Sequence, residues 1–131
     1  APNAMDYEKR NFFRVKVNIA SKTFPVTPAE NGSISQEPIK IHIRDISLSG
    51  LFFVSDSYLD IGDKLIVSLN LYDTAVSLLC KIIRKIPVEM GTADGYGCEF
   101  LDNTGKQFDL LFKFLFDCQR EQIAIMKQIH P

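Results

Sequence analysis

Apolar residues recur at every second position over most of this chain, and that period limits the folds open to it. Val15, Val17 and Ile19 alternate with Lys16 and Asn18. Ile39, Ile41 and Ile43 alternate with Lys40, His42 and Arg44, and Leu65, Val67, Leu69 and Leu71 repeat the pattern. A period of two turns one face of a strand toward a core and the other toward water. The breaks give the connections. A loop through Pro25, Pro28 and Asn31-Gly32 follows the first run. Asp45 to Gly50 interrupts the second with small and polar residues, and Leu51 to Val54 reads as a short strand. Ile61-Gly62-Asp63 marks a turn, Tyr72-Asp73 a hairpin tip, and Val76 to Val88 a long β-prone stretch closed by Pro87. A loop through Gly91 and Asp94-Gly95 leads to the last strand, Tyr96 to Leu101.

After Leu101 the period changes. Thr104 and Gln107 have capping-box spacing. Phe108, Leu111, Phe112, Leu115 and Phe116 then recur at helical spacing, with Asp109, Lys113, Asp117 and Arg120 as a polar stripe opposite. The helix is expected over 104–128. Its first half is apolar on more than one face; the excess, Leu110 and Phe114, is covered either by a second chain or by the monomer's own core. The expected fold is mainly β. Six short antiparallel strands of this size close into a small β-barrel, which removes exposed edges, and a C-terminal α-helix covers one end.

Length and composition agree with a single domain: 131 residues, 46% hydrophobic and 24% charged. No apolar run approaches the roughly 18 residues of a spanning helix, so no membrane insertion is expected. No basic stretch followed by an apolar one suggests a secretory signal. Ala1 to Ala4, ahead of Met5, read as an expression scar. Cys80, Cys98 and Cys118 form no C-x-x-C pair, and His42 and His130 lie far apart, so neither a metal site nor a redox motif is expected. Unpaired thiols fit a reducing, cytoplasmic compartment. No Ser-His-Asp or Cys-His constellation can be assembled, and Asp56 and Asp60 read as a solvated loop, so the chain is not expected to be an enzyme.

The net charge of −1 and the absence of Trp argue against a DNA- or RNA-binding barrel, which needs a basic groove with exposed aromatics. The charge is uneven, however. Residues 1–44 hold seven basic residues against four acidic ones, which allows a localised anion site. Two segments carry chemistry. In the first, Arg10 and Arg14 stand just before the first strand. Guanidinium presents a fixed fork of donors that matches phosphate oxygens or a guanine edge, and its plane can stack on a base. The second is Asp45-Ile46-Ser47-Leu48-Ser49-Gly50. An ionised Asp45 accepts from a guanine's N1–H and amine; Ser47 can donate to phosphate; Gly50 allows positive φ or close ligand approach. Either segment alone is also explained structurally, the arginines as solvated charge and Asp45 with Ser47 as a turn capping its own backbone.

Together, R-x-x-x-R at Arg10 and Arg14 and D-x-S-x-x-G at Asp45, Ser47 and Gly50 resemble the PilZ family. Gly97-Cys98-Glu99-Phe100 is similar to the family's G-x-x-F ending. The resemblance spans about residues 8–118. It implies a six-stranded antiparallel barrel with a C-terminal helix, and binding of the bacterial second messenger cyclic di-GMP without any cofactor. It also implies a division into an N-terminal ligand-binding arm (5–13), a barrel (14–101) and the helix (104–128). Family members often carry a further arginine where this chain has Lys9. Lysine keeps a point charge for phosphate but lacks the fork, so one nucleotide and a stacked pair both stay open. Lys9, Arg10, Arg14, Asp45, Ser47 and Gly50 are thus the expected ligand residues. The arm would order on the ligand and alter a contact with a downstream protein. The alternative is a nucleotide-independent interaction domain acting through its helix or as a homodimer.

Overall fold

A computed structural model of the protein describes residues 14–26, 37–87, 93–102 and 104–129, with side chains as far as Gln122. The elements are β1 (Val15–Val26), β2 (Ile39–Ile46), β3 (Gly50–Ser55), β4 (Lys64–Leu71), β5 (Thr74–Pro87), β6 (Asp94–Phe100) and α1 (Lys106–Ile129). The strands form a closed antiparallel barrel in the order β1-β2-β3-β6-β5-β4, as the alternation predicts. Arg10, Lys9 and the Asn31-Gly32 turn lie outside the described residues.

The inward positions are those the period selects. Ile41, Ile43, Leu65, Val67, Leu69, Leu71, Val76 and Leu78 are all buried in one core. Tyr96 is fully buried against Phe53, with ring centroids 5.4 Å apart. Its hydroxyl donates to the Ser57 carbonyl (3.0 Å) and accepts from the Leu59 N–H (3.1 Å), which ties the β3–β4 connection to β6. Tyr72 and Asp73 both have positive φ, 52° and 60°, the conformation a two-residue hairpin between twisted strands requires.

Three boundaries differ from the sequence expectation. β1 runs through Pro25 to Val26 rather than stopping before a loop. β2 begins opposite Thr23, so beyond that point β1 pairs with β4 alone, and proline's missing N–H is tolerated there. Asp45 and Ile46 belong to β2, and Asp94-Gly95 opens β6 instead of forming a loop. The capping box does not form: the Gln107 side chain accepts from the Ser77 N–H of β5, while the Thr104 hydroxyl donates to Asp102 (2.7 Å).

The strand register gathers the start of β1, the end of β2, the start of β3, the end of β6 and the β4–β5 tip at one end of the barrel. α1 packs there, against β5, β4 and β1. Leu111 and Leu115 enter the core, and Phe108, Leu110 and Phe114 pack beside them. Phe112 and Phe116 instead stand exposed at 46% and 53%, stacked with centroids 5.6 Å apart. The surplus apolar face is therefore this pair, and the Leu110 and Phe114 excess is absorbed by the monomer. Nor is the polar stripe wholly solvated. Tyr72 at the hairpin tip donates to Asp117 and meets Phe114 edge-on at 6.3 Å.

Candidate functional site

Asp45 faces outward because β2 contains a bulge. Ile43 opposes Phe53 and Asp45 opposes Phe52, so Arg44 is an extra residue relative to β3. Without it, Asp45 would follow Ile41 and Ile43 into the core. With it, Ile46 goes inward and Asp45 turns to the surface. Bulges commonly re-aim a side chain in this way. There Asp45 accepts from Arg14 Nη1 at 2.8 Å, with Arg14 half exposed and Asp45 more covered. The first motif's second arginine and the second motif's acid are thus joined, 31 residues apart in sequence. An exposed pair of this kind contributes only ~0–1 kcal/mol, so a ligand can exchange it at small cost.

Ser47 begins the three-residue connection to β3. Its N–H donates to the Gly50 carbonyl (2.8 Å), and its Oγ accepts from the Ser49 N–H (3.2 Å) and lies 2.9 Å from the Ser49 Oγ. Its side chain is buried, so it builds the turn, whereas Ser49 is exposed. Gly50 has no positive φ; its role is close approach. A Cβ on Gly50 would sit 1.9 Å from the Cys98 carbonyl oxygen of β6. The motif glycine lets β3 and β6 pair at the rim, and the Ser49 carbonyl accepts from the Phe100 N–H (2.9 Å) beside it.

A groove of about 690 Å³ opens between this rim, the outer face of the barrel and α1. Arg14, Ser49 and Gly50 form one wall; Ile83 and Arg84 of β5 form another, and Phe108 and Phe112 of α1 close a third side. Gly97 and Glu99 lie in its floor. Ser49, Arg84, Glu99 and the two phenylalanines were not singled out by sequence reasoning as site residues. Only strand register and helix docking bring them beside Arg14. Cys98 also borders the groove, but burial pushes its thiol up to about 12, so it stays protonated near neutrality.

The fold is thus a small closed antiparallel barrel with an arginine–aspartate pair at the rim of a groove that its C-terminal helix helps to line. The sequence matches the PilZ domain over residues 8–117, and the chain belongs to that family. Solved structures with the same fold include Escherichia coli YcgR in complex with c-di-GMP, at 15% identity and a TM-score of 0.65. That match covers 93% of this chain and 51% of YcgR, so this chain spans about half of that protein's length. The PilZ domain of YcgR with c-di-GMP matches at 17% identity and a TM-score of 0.57, over 94% of this chain and 99% of that one. The Bacillus subtilis inhibitor of motility MotI/DgrA matches at 16% identity and a TM-score of 0.61, covering 88% of this chain and 52% of that one. A search of curated proteins returned no match. Among the described residues no helix is long and apolar enough to cross a membrane.

Proposed function

We propose that this chain is a cyclic di-GMP receptor module, a binding domain and not an enzyme, that acts inside a bacterial cell by changing a protein contact. The observation that carries the reading is the Arg14–Asp45 pair at the rim of a groove large enough for a dinucleotide. The YcgR structures, solved with c-di-GMP on the same fold, support it. In this reading Arg14, with Arg10 and Lys9 from the preceding segment, neutralises the phosphates and takes a guanine edge. Asp45 exchanges Arg14 for guanine N–H donors, and Ser47 and Gly50 hold the wall in shape. Each charge-assisted bond contributes ~1.5–3 kcal/mol, against the roughly 8 kcal/mol of a micromolar complex. Losing the Arg14–Asp45 pair costs less than one such bond supplies.

Phe108 and Phe112 link the ligand groove to α1. A ligand that draws residues 5–13 over the groove would change the surface next to the exposed Phe112–Phe116 stack, where a downstream protein would dock. That stack also favours a second reading, a partner-binding or homodimeric domain that works without nucleotide.

Isothermal titration of c-di-GMP, with GTP as control, tests the first reading. Binding at micromolar affinity or tighter, weakened at least tenfold by Arg14→Ala or Arg10→Ala in folded protein, is expected. No heat at high ligand excess, or equal binding by both variants, would sink it and leave the second.

A further inference from the structure

The outer face of the barrel carries a line of registered residues. Lys16 opposes Asp45, Asp45 opposes Phe52, Phe52 opposes Gly97, and Gly97 opposes Arg84. The line crosses β1, β2, β3, β6 and β5 in turn. At about 4.8 Å per strand, Asp45 and Arg84 stand roughly 14 Å apart along the sheet, a span suited to a ligand of two nucleotide units.

Arg84 reaches this face by the device that delivers Asp45. In β5, Val76, Leu78, Cys80 and Ile82 point inward, and strict alternation would send Arg84 in as well. The register shifts by one between Ile82 and Arg84, so Ile83 is an extra residue and Arg84 turns out. Two bulges, on strands separated by β3 and β6, thus turn an acid and a base from the core side to the outer face: Asp45 holds Arg14 at the rim of the groove, and Arg84 lines the groove itself.

The glycine opposite completes the arrangement. A Cβ on Gly97 would lie 3.0 Å from Arg84 Nε and 3.4 Å from its Nη2, so the bare Cα leaves room for the Arg84 side chain to lie across β6. Its guanidinium carbon then sits 5.8 Å from the Phe52 ring centroid. Among the described residues Arg84 makes no ion pair, whereas Arg14 is already held by Asp45. A planar cation, supported from below by Phe52 and open to the groove, is a platform for a base.

We infer that Arg84 is a second anchor of the groove and stacks its guanidinium on the guanine farther from Arg14. The inference rests on the groove being the cyclic di-GMP site. Titration of c-di-GMP into the wild-type chain, Arg84→Ala and Arg84→Lys tests both together, with Arg84→Gln standing in for any variant that does not fold by circular dichroism. The expected result is wild-type binding, an affinity at least tenfold weaker in Arg84→Ala, and no recovery in Arg84→Lys, which keeps the charge without the plane. Wild-type binding with Arg84→Ala unchanged overturns the Arg84 anchor and leaves the receptor reading standing. Full recovery in Arg84→Lys overturns the stacking role. No binding by the wild-type chain overturns the anchor and the receptor reading alike.

Discussion

Arg14, Asp45 and Gly50 show how single residues fix this molecule's rim, and Tyr96 how one side chain fixes the opposite end of the barrel. Gly50 is needed for approach, not for φ, so Gly50→Ala forces β3 from β6 at Cys98. Backbone rather than a flexible side chain must yield, and a loss above the usual ~1–3 kcal/mol of overpacking is expected. A large fall in thermal midpoint would bear this out; an unchanged one would contradict it. Tyr96→Phe keeps the ring contact with Phe53 but strips the Leu59 N–H of its acceptor. Urea denaturation should show a loss of about 1–3 kcal/mol. Asp45, Ser47 and Gly50 are neighbours by sequence alone. The sequence could not say which hydroxyl faces the groove, because Ser47 and Ser49 differ only in how the turn between β2 and β3 is wound.

At the scale of elements, α1 is seated by two kinds of contact. Leu111 is fully buried, so Leu111→Ala should cost about 2–5 kcal/mol through the cavity left behind. Phe112 is exposed, and Phe112→Ala should change stability by no more than ~0.5 kcal/mol. Parallel denaturant curves for the two variants check the contrast. The other seat is Tyr72, whose hydroxyl end is turned onto the helix although the residue is 46% exposed. Lost hydration and the bond to the Asp117 carboxylate push its phenol up to about 12. The Tyr72 bond, then Arg120, holds Asp117 below the usual carboxylate range. The signs oppose one another. A raised Tyr72 contributes fully below pH ~10 and is lost as pH climbs toward 12; a lowered Asp117 contributes above pH ~4 and is lost as pH falls below it. Helix docking is therefore expected to loosen at both extremes, and Tyr72→Phe to remove the alkaline limb seen by near-ultraviolet circular dichroism. A Tyr72→Phe profile identical to wild type would contradict this. The helix itself was legible from its 3.6-residue period. Which of its two apolar faces stays open was not, since Phe112 and Phe114 are indistinguishable until the hairpin tip covers one.

For the whole molecule, ligand and fold are linked by mass action. If c-di-GMP binds only the closed barrel, a hundredfold excess over Kd stabilises it by ~2.7 kcal/mol. For a domain of this size that is a rise in thermal midpoint on the order of 10 °C. The Arg14→Ala midpoint should move far less at the same concentration, and an equal rise in both would place the ligand elsewhere. The sequence by itself determined the strand pattern, the closed barrel, the C-terminal helix and the family, because a period of two, a period of 3.6 and two spaced motifs are local properties of the chain. Tertiary structure alone decided what stands beside Arg14. Two one-residue bulges, at Arg44 and Ile83, reverse the inside–outside phase of their strands. A period read along one strand cannot reveal them, because an extra residue exists only relative to the neighbour it fails to pair with. Asp45 owes its place beside Arg14, and Arg84 its place in the groove, to that difference.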